Sequence, residues 1–173
     1  MISVDFPAPF TPSHLHARLL DVPPVAIDAA RLEILHLGQL LRDMVASSVP
    51  ATTLGSPLEI DQLRVMDRPI DLLHRDILGY MRLIGLRSLP EGQSRQLLGL
   101  IRIANDFEHV GDLVATGMVT SARKRLDEGV DISPSTAHVI ASVHHGVLSA
   151  LDGVLTALEA QDGGVASEVR RMK

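Results

Sequence analysis

The sequence predicts an all-α protein, an antiparallel bundle of about four long helices. Apolar residues recur at steps of three and four, the period at which one face of a helix is buried. No segment alternates apolar and polar residues as a half-exposed strand does. Of the 173 residues, 46% are hydrophobic and only 2% are aromatic, so the core must be aliphatic, which suits helix packed on helix. This length allows one domain with a single sizeable core.

Composition also argues against several classes of function. The net charge of −5 and the absence of Trp disfavour nucleic acid or an anionic membrane surface as the main partner. The absence of cysteine excludes disulfides and thiolate metal sites, and it fits a cytoplasmic protein. No uninterrupted apolar run approaches the ~18–20 residues of a spanning helix, and the first residues do not resemble a signal peptide. We therefore expect a soluble chain.

Residues 1–24 are predicted to form a linker or arm, because their five prolines prevent a long helix. The helical domain is predicted to occupy residues 25–173. Its first helix is placed at about 25–47, where apolar side chains recur at helical spacing and Ser47-Ser48-Val49-Pro50 should end the helix. Glu33 on this helix is expected at the surface, with the alternative that it reaches a site between helices.

The second helix has two possible starts, because Pro69 lies inside its apolar pattern. The helix could begin near Leu58 and kink at Pro69, where one helical hydrogen bond is lost. Alternatively, Asp67 is the N-cap and Pro69 lies in the first turn. The second possibility would explain Asp67 without any ligand.

The third helix is placed at about 90–128 and is predicted to be the longest. Gly111 inside it costs about 1 kcal/mol relative to Ala, so a glycine there indicates close approach of a neighbouring segment. The fourth helix is placed at about 134–161. Ser133 should cap it and Pro134 should occupy its first position.

Two pairs of acidic residues are the candidate site. Asp67 and Asp71 are four residues apart, and so are Glu108 and Asp112. On a helix such residues lie one turn apart on the same face, with roughly 6 Å between their Cβ atoms, and they repel each other. Each pair alone is a weak signal, because acidic pairs are common on solvated faces. On that interpretation, nearby basic side chains neutralise them: Arg68, Arg75, Arg102 or His109.

The acidic pairs also carry a resemblance to a known family. Residues 104–112, with the sequence Ala-Asn-Asp-Phe-Glu-His-Val-Gly-Asp, resemble the E-x-x-x-D signature of the PhoU family. The upstream pair is similar to the preceding helix of that family, and the likeness covers roughly residues 25–128. The fourth helix resembles the start of a second repeat whose acidic helix is missing here. This chain differs from the family in having Pro69 inside the first pair, and His109 where Arg or Lys is common.

The segment from His16 to Met44 resembles the junction between the membrane domain and the PhoU-like tail of bacterial sodium/phosphate cotransporters. The resemblance implies a regulator of phosphate uptake and no enzyme. It places the chain in the cytoplasm at the inner face of the membrane, with a membrane transporter domain of the same full-length chain as partner. It implies that clusters of iron, zinc or similar ions bind to the two acidic pairs: Asp67, Asp71, Glu108 and Asp112. Manganese, magnesium and calcium are further candidates, because carboxylates prefer hard ions. Carboxylates without cysteine are an oxygen-rich cation site on chemical grounds also.

Two other functions remain open at this point. One is a metal-free helical adaptor that binds a partner through apolar grooves. The other is a di-metal carboxylate oxidase, which places E-x-x-H motifs on its ligand helices. Here the related D-x-x-H spacing occurs once, from Asp71 to His74. The truncated second repeat would leave apolar surface on the fourth helix, so we also expect a homodimer.

Overall fold

The computed structural model describes residues 12–160, and all regular secondary structure in that range is helical. A short 3₁₀ helix precedes five α-helices, and a π-helical segment joins α3 to α4 without a break. The elements are the 3₁₀ helix Ala17–Asp21, α1 Pro23–Leu54, α2 Pro57–Gly85, α3 Glu91–Asp112, the π segment Leu113–Met118, α4 Val119–Asp127 and α5 Pro134–Ala160. Because α3, the π segment and α4 form one continuous rod, the prediction of four long helices is confirmed.

The C-terminal part of the predicted linker is largely helical. The 3₁₀ helix and the start of α1 at Pro23 both lie before residue 25, while residues 1–11 lie outside the described range. Leu20 is buried, and the backbone N–H of His14 donates a hydrogen bond to Glu33 at 2.8 Å. Glu33 is 0% exposed, so the expectation that it lies at the surface is wrong.

The first helix ends later than predicted. It continues through Pro50 to Leu54, although proline removes one helical hydrogen bond. Ala51 and Thr52 are buried in the bundle, and the Thr52 hydroxyl donates to the carbonyl of Ser48 at 2.7 Å. Tertiary packing therefore overrides the local signal to stop.

The second helix begins at Pro57 with a capping box. The backbone N–H of Glu59 donates to the Ser56 hydroxyl, and the Glu59 carboxylate accepts from the Ser56 backbone at 2.7 Å. Pro69 lies in the helix interior, and Asp67 lies more than two turns from the start. The alternative in which Asp67 is an N-cap is therefore wrong, and capping does not explain its carboxylate.

The helices pack around α1, which contacts α2, α3 and α5. Short connections make α1 and α2, and then α2 and α3, antiparallel neighbours. The α2–α3 register is visible at both ends, since Gly85 lies near Leu97 and Gly111 lies against Asp67. The largest fully buried side chains come from α1 and α2: Ile27, Ile34, Leu37, Leu41, Met44, Ile60, Leu63, Ile70, Leu73, Ile77, Met81 and Ile84. As predicted, this core is aliphatic.

The fourth rod, α5, lies antiparallel along α1. Arg42 of α1 donates to Asp152 of α5 at 3.0 Å, and a ring nitrogen of His144 lies 2.8 Å from the Val45 carbonyl oxygen. At the start of α5, the Thr136 N–H donates to the Ser133 hydroxyl at 3.2 Å, so Ser133 caps the helix as predicted.

Within residues 12–160 there is one helix, α5, that is both long enough and apolar enough to cross a membrane, judged by length and composition only. The sequence had led us to expect no run of that length. Its aliphatic residues are interrupted mainly by His, Ser and Gly, and its charged residues are Asp152 and Glu159. A helix that packs on a protein core meets the same criterion, and α5 packs on the core through one side: Leu148, Leu151, Val154, Leu155 and Leu158.

Candidate metal centre

Three of the four predicted site residues come together between α2 and α3. Asp67 and Asp71 project from α2, and Asp112 is the last residue of α3. One carboxylate oxygen from each residue lies within 4.8 Å of one from each of the others. Within residues 12–160, this is the one group of three or more His, Asp or Glu side chains that lie close enough together to hold a metal ion.

Gly111 creates the space for this arrangement. A Cβ atom at Gly111 would lie 2.9 Å from Asp67 Oδ1 and 3.6 Å from Cγ2 of Ile70, which is closer to the carboxylate than real Cβ atoms come. The missing side chain lets Asp67 lie directly against α3, while the buried Ile70 anchors the same turn of α2. The expectation that Gly111 marks a close approach is therefore confirmed, with a carboxylate as the neighbour.

The surroundings of Asp67 are unfavourable for a charged carboxylate. Its Oδ1 atom is buried and has no hydrogen-bond partner among the described residues. The pKa of Asp67 is raised to about 6, mainly by burial and then by the nearby charges of Asp71, Asp112 and Glu108. The pKa of Asp71 is also raised, by burial first and then by Asp112, although His74 acts in the opposite direction. Negative charge therefore dominates the group.

In the described part of the chain, Arg and Lys side chains form no ion pairs that would balance this negative charge. Arg75, one of the candidates for neutralisation, lies 3.5 Å from Asp76 instead. No ion pair within residues 12–160 joins a basic side chain to Asp67, Asp71 or Asp112. The interpretation in which nearby basic side chains neutralise the pairs therefore has no support in these contacts.

Glu108 lies at the edge of the group rather than in it. Its carboxylate is not among the three that meet within 4.8 Å, although it is near enough to raise the pKa of Asp67. Glu108 is half-buried, one turn before Asp112 on α3. The structure thus separates the four predicted residues into a triad and a neighbour.

The sequence analysis missed one polar pair beside the triad. Nε2 of His74 lies 2.9 Å from Oδ1 of Asn105 across the α2–α3 interface. His74 is one turn after Asp71, and Asn105 is one turn before Glu108. The D-x-x-H spacing gave a signal for His74. Asn105 gives none alone, because its role depends on the register of two helices.

The donor set fits a cation. Asp67 has a buried oxygen that is costly to leave without a partner, whereas Asp71 and Asp112 are exposed, and hard divalent or trivalent ions take such oxygen ligands. The gap left by Gly111 shows that Asp67 has a defined place in the packing rather than a solvated one. The group can therefore hold a metal ion and link α2 to α3 through it.

Comparison with known proteins gives one family and several relatives. The model of the PhoU domain matches residues 34–116. Proteins named "Putative inorganic phosphate export protein YjbB" from Escherichia coli O157:H7 and from Escherichia coli strain K12 are each 25% identical over 162 residues, which cover 94% of this chain and 30% of the relative. The protein of that name from Salmonella typhimurium strain LT2 is 24% identical over the same length.

The chain thus spans about 30% of the length of the curated relatives that it matches. No solved structure matches the chain at a significant level. The matched region, residues 34–116, contains both acidic pairs and the Gly111 contact that shapes the triad. Residues 34–116 are therefore similar to the PhoU domain, and the resemblance that the acidic pairs indicated is confirmed.

Proposed function

We propose that this chain is a regulatory, metal-binding PhoU-like domain that controls phosphate transport and has no catalytic activity of its own. The observation that carries the proposal is the Asp67–Asp71–Asp112 triad, which lies inside the matched PhoU region and contains a buried, unpartnered carboxylate oxygen. The names of the relatives, which refer to phosphate export, support the link to phosphate.

In this proposal the triad binds the ion directly, and Glu108 contributes from the edge. The bound ion supplies the counter-charge that the carboxylates lack, and it links two neighbouring helices, so binding stabilises the fold. Iron, zinc, manganese, magnesium and calcium are all candidates by ligand chemistry. Two regulatory states of the domain would then differ in whether a bound ion links α2 to α3.

The finer proposal is that the domain is the cytoplasmic tail of a sodium/phosphate cotransporter, next to the membrane domain. The resemblance of residues 16–44 to the junction in those transporters supports it. In keeping with it, the chain spans only 30% of the length of the relatives named for phosphate export. Deleting residues 25–173 from the full-length transporter should leave a transport pathway whose rate no longer responds to phosphate or metal. Unchanged regulation after the deletion would refute this role.

The metal part has its own test. Replacing Asp71 and Asp112 together with Asn should abolish bound metal, measured by inductively coupled plasma mass spectrometry, and also the metal-dependent rise in melting temperature. Asp106→Asn, an exposed change on α3, is the matched control and should keep both. If the parent protein binds none of these ions, the carboxylates form only a self-repelling acidic face.

A metal-free adaptor is the second candidate, and one observation favours it. An apolar groove of about 400 Å³ runs between the N-terminal half of α5, the end of α1 and the π segment. Such a groove can take an apolar segment of a partner. Two measurements separate the candidates. A metal-free adaptor would contain no bound metal, and it would keep its partner after the Asp71/Asp112 double substitution.

A further inference from the structure

We propose that the apolar groove beside α5 binds a fatty acid, whose carboxylate is held by Arg125 beyond one end of the groove. This inference does not depend on the proposed metal function, because no carboxylate of the acidic triad lines the groove. A single positive charge at the end of an apolar channel distinguishes this ligand from a purely apolar segment of another protein.

A second groove continues the apolar groove towards the loop that precedes α5. Its volume is about 500 Å³, against about 400 Å³ for the apolar groove, and both lie in the range of roughly 300–1,000 Å³ that is usual for small-molecule sites. Leu113, Met118 and Ile140 line both grooves, so the two form one channel. The α1 wall of this channel runs from Val45 to Thr53, about 12 Å at the rise of a helix. An extended acyl chain fits such a channel in length.

The polar side chains of the channel other than Arg125 are already engaged within the protein. Four hydroxyl groups each donate to a backbone carbonyl of their own helix at 2.6–3.0 Å: those of Ser48, Thr52, Thr53 and Ser121. A ring nitrogen of His144 lies 2.8 Å from the carbonyl oxygen of Val45. The rest of the lining is aliphatic or glycine, so the channel suits an apolar tail.

Arg125 places a positive charge in this channel without a balancing negative one. Its Nη1 atom donates to the carbonyl of Val130 at 3.2 Å and its Nη2 atom to the carbonyl of Thr52 at 3.3 Å, while its Nε atom is buried without a partner. A guanidinium group has about five N–H donors, so it can still donate to a ligand. Within residues 12–160 no carboxylate forms an ion pair with Arg125. An uncompensated charge beside apolar walls favours an anionic group on the ligand.

The ligand's charged group is assigned as a carboxylate rather than a phosphate. One guanidinium matches the single charge and the two oxygens of a carboxylate, which it can bind through two parallel hydrogen bonds. A phosphate monoester would need further positive charge. The neighbouring Arg123 is paired with Asp61. Lys124 lies 3.9 Å from Glu128, and neither basic side chain lines the channel.

The π segment provides space for the tail. Leu113, Gly117 and Met118 of this segment all line the channel, and a Cβ atom at Gly117 would meet nothing within 4 Å. Single π-helical turns of this kind are frequently found at functional sites. Because Gly117 borders open space, a larger side chain there should fill the channel without a clash in the fold.

The test uses the whole chain and two ligands that share one tail. Isothermal titration calorimetry, below the critical micelle concentration of laurate, compares laurate with dodecanol, which has the same number of carbon atoms and no charge. We expect the parent to bind laurate about 10- to 100-fold more tightly, the usual effect of a charge-assisted hydrogen bond. Arg125→Gln should reduce the affinity for laurate to that for dodecanol. Lys124→Gln, the adjacent exposed charge, is the matched control and should change neither affinity.

A second pair of variants tests where the tail lies. Gly117→Leu should abolish binding of both ligands, because the leucine would occupy the channel. Gly99→Leu is the control, since a Cβ there also meets nothing within 4 Å but the residue does not line the channel. Unchanged laurate binding by a folded Gly117→Leu variant would contradict the proposed site.

Three further outcomes would overturn the proposal. Equal affinity of the parent for laurate and dodecanol would show that Arg125 holds no ligand charge, and this comparison needs no variant that folds. Tighter binding of dodecyl phosphate than of laurate would assign the channel to a lipid phosphate instead. A parent that binds neither ligand has no fatty-acid site, and a dimeric mass in light scattering would then identify a second copy of the chain as the occupant.

Discussion

At the scale of single residues, the candidate centre depends on a glycine as much as on its carboxylates. Gly111 has no side chain at the point where Asp67 meets α3, and Asp67 Oδ1 is consequently buried without a partner. The arrangement is unfavourable for the metal-free protein, because a buried polar atom without a hydrogen bond raises its free energy. A bound cation would turn the same arrangement into a favourable one, and each half of this argument can be measured.

Gly111→Ala should disturb the Asp67 carboxylate. Alanine normally stabilises a helix interior by up to about 1 kcal/mol relative to glycine. Gly99→Ala on the same helix should show that gain, because a Cβ there meets nothing within 4 Å. At Gly111 the new methyl would lie 2.9 Å from Asp67 Oδ1, so we expect this variant to be about 1–2 kcal/mol less stable than Gly99→Ala by urea denaturation. Equal stability of the two variants would contradict the close packing described here.

The pKa of Asp67 predicts how the stability of the metal-free protein varies with pH. It rises from an ordinary 3.8 to about 6 in the folded protein, so the folded state binds the proton more tightly than the unfolded state. The free energy of unfolding should therefore fall as pH rises from about 4 to about 6, by about 1 kcal/mol after allowance for solvent screening. Asp67→Asn should remove this fall, because Asp71, Asp112 and Glu108 would then face a neutral amide.

Metal should reverse the sign of that dependence. Protons compete with the ion for Asp67, so metal-dependent stabilisation should shrink as pH falls below about 6. Melting temperatures at pH 5 and pH 7, with chelator and with saturating metal, give the comparison. A metal-bound protein that gained stability on acidification would contradict binding through Asp67.

At the scale of elements, the sequence located the helices well and their ends less well. Periodicity placed four long helices and the Ser133 cap, because both depend on local residues. It ended α1 too early, because the burial of Ala51 and Thr52 is a tertiary effect that outweighs Pro50. The π segment after Asp112 has no sequence pattern of its own. The same limit applies to the site, where the acidic pairs were visible in the sequence but Asn105 required the register.

Gly38 shows how closely the elements pack. A Cβ at Gly38 on α1 would clash with Leu155 of α5, and it would lie 2.6 Å from Cε2 of Phe107 on α3. Gly38→Ala should therefore destabilise the fold by about 1–3 kcal/mol, the usual cost of overpacking. Gly146→Ala on α5 is the control and should be neutral or stabilising, because a Cβ there meets nothing within 4 Å. Chemical denaturation of both variants measures the difference, and a stabilised Gly38→Ala would mean that α5 does not pack on α1 as described.

At the scale of the whole molecule, α5 is the element with the least cover. One of its sides packs on α1, while a stripe of valines on one flank borders the apolar groove. Val139, Val143 and Val147 are 61%, 63% and 46% exposed, and they follow one another at four-residue steps. A contiguous apolar stripe of this kind is unusual on a monomer surface and indicates an interaction site. We expect a second copy of the chain to cover it, which is the homodimer that the sequence also led us to expect.

The dimer is tested by placing a charge on the stripe. Val143→Glu would bury a carboxylate without a partner in the interface, so this variant should be a monomer at concentrations where the parent is a dimer. His145→Glu adds the same charge to the opposite flank of α5, where the residue is also exposed, and it should leave the dimer intact. Light scattering coupled to size-exclusion chromatography measures all three masses across a wide concentration range. A parent that stays monomeric throughout, or a His145→Glu variant that dissociates as readily as Val143→Glu, would show that the valine stripe does not join two copies.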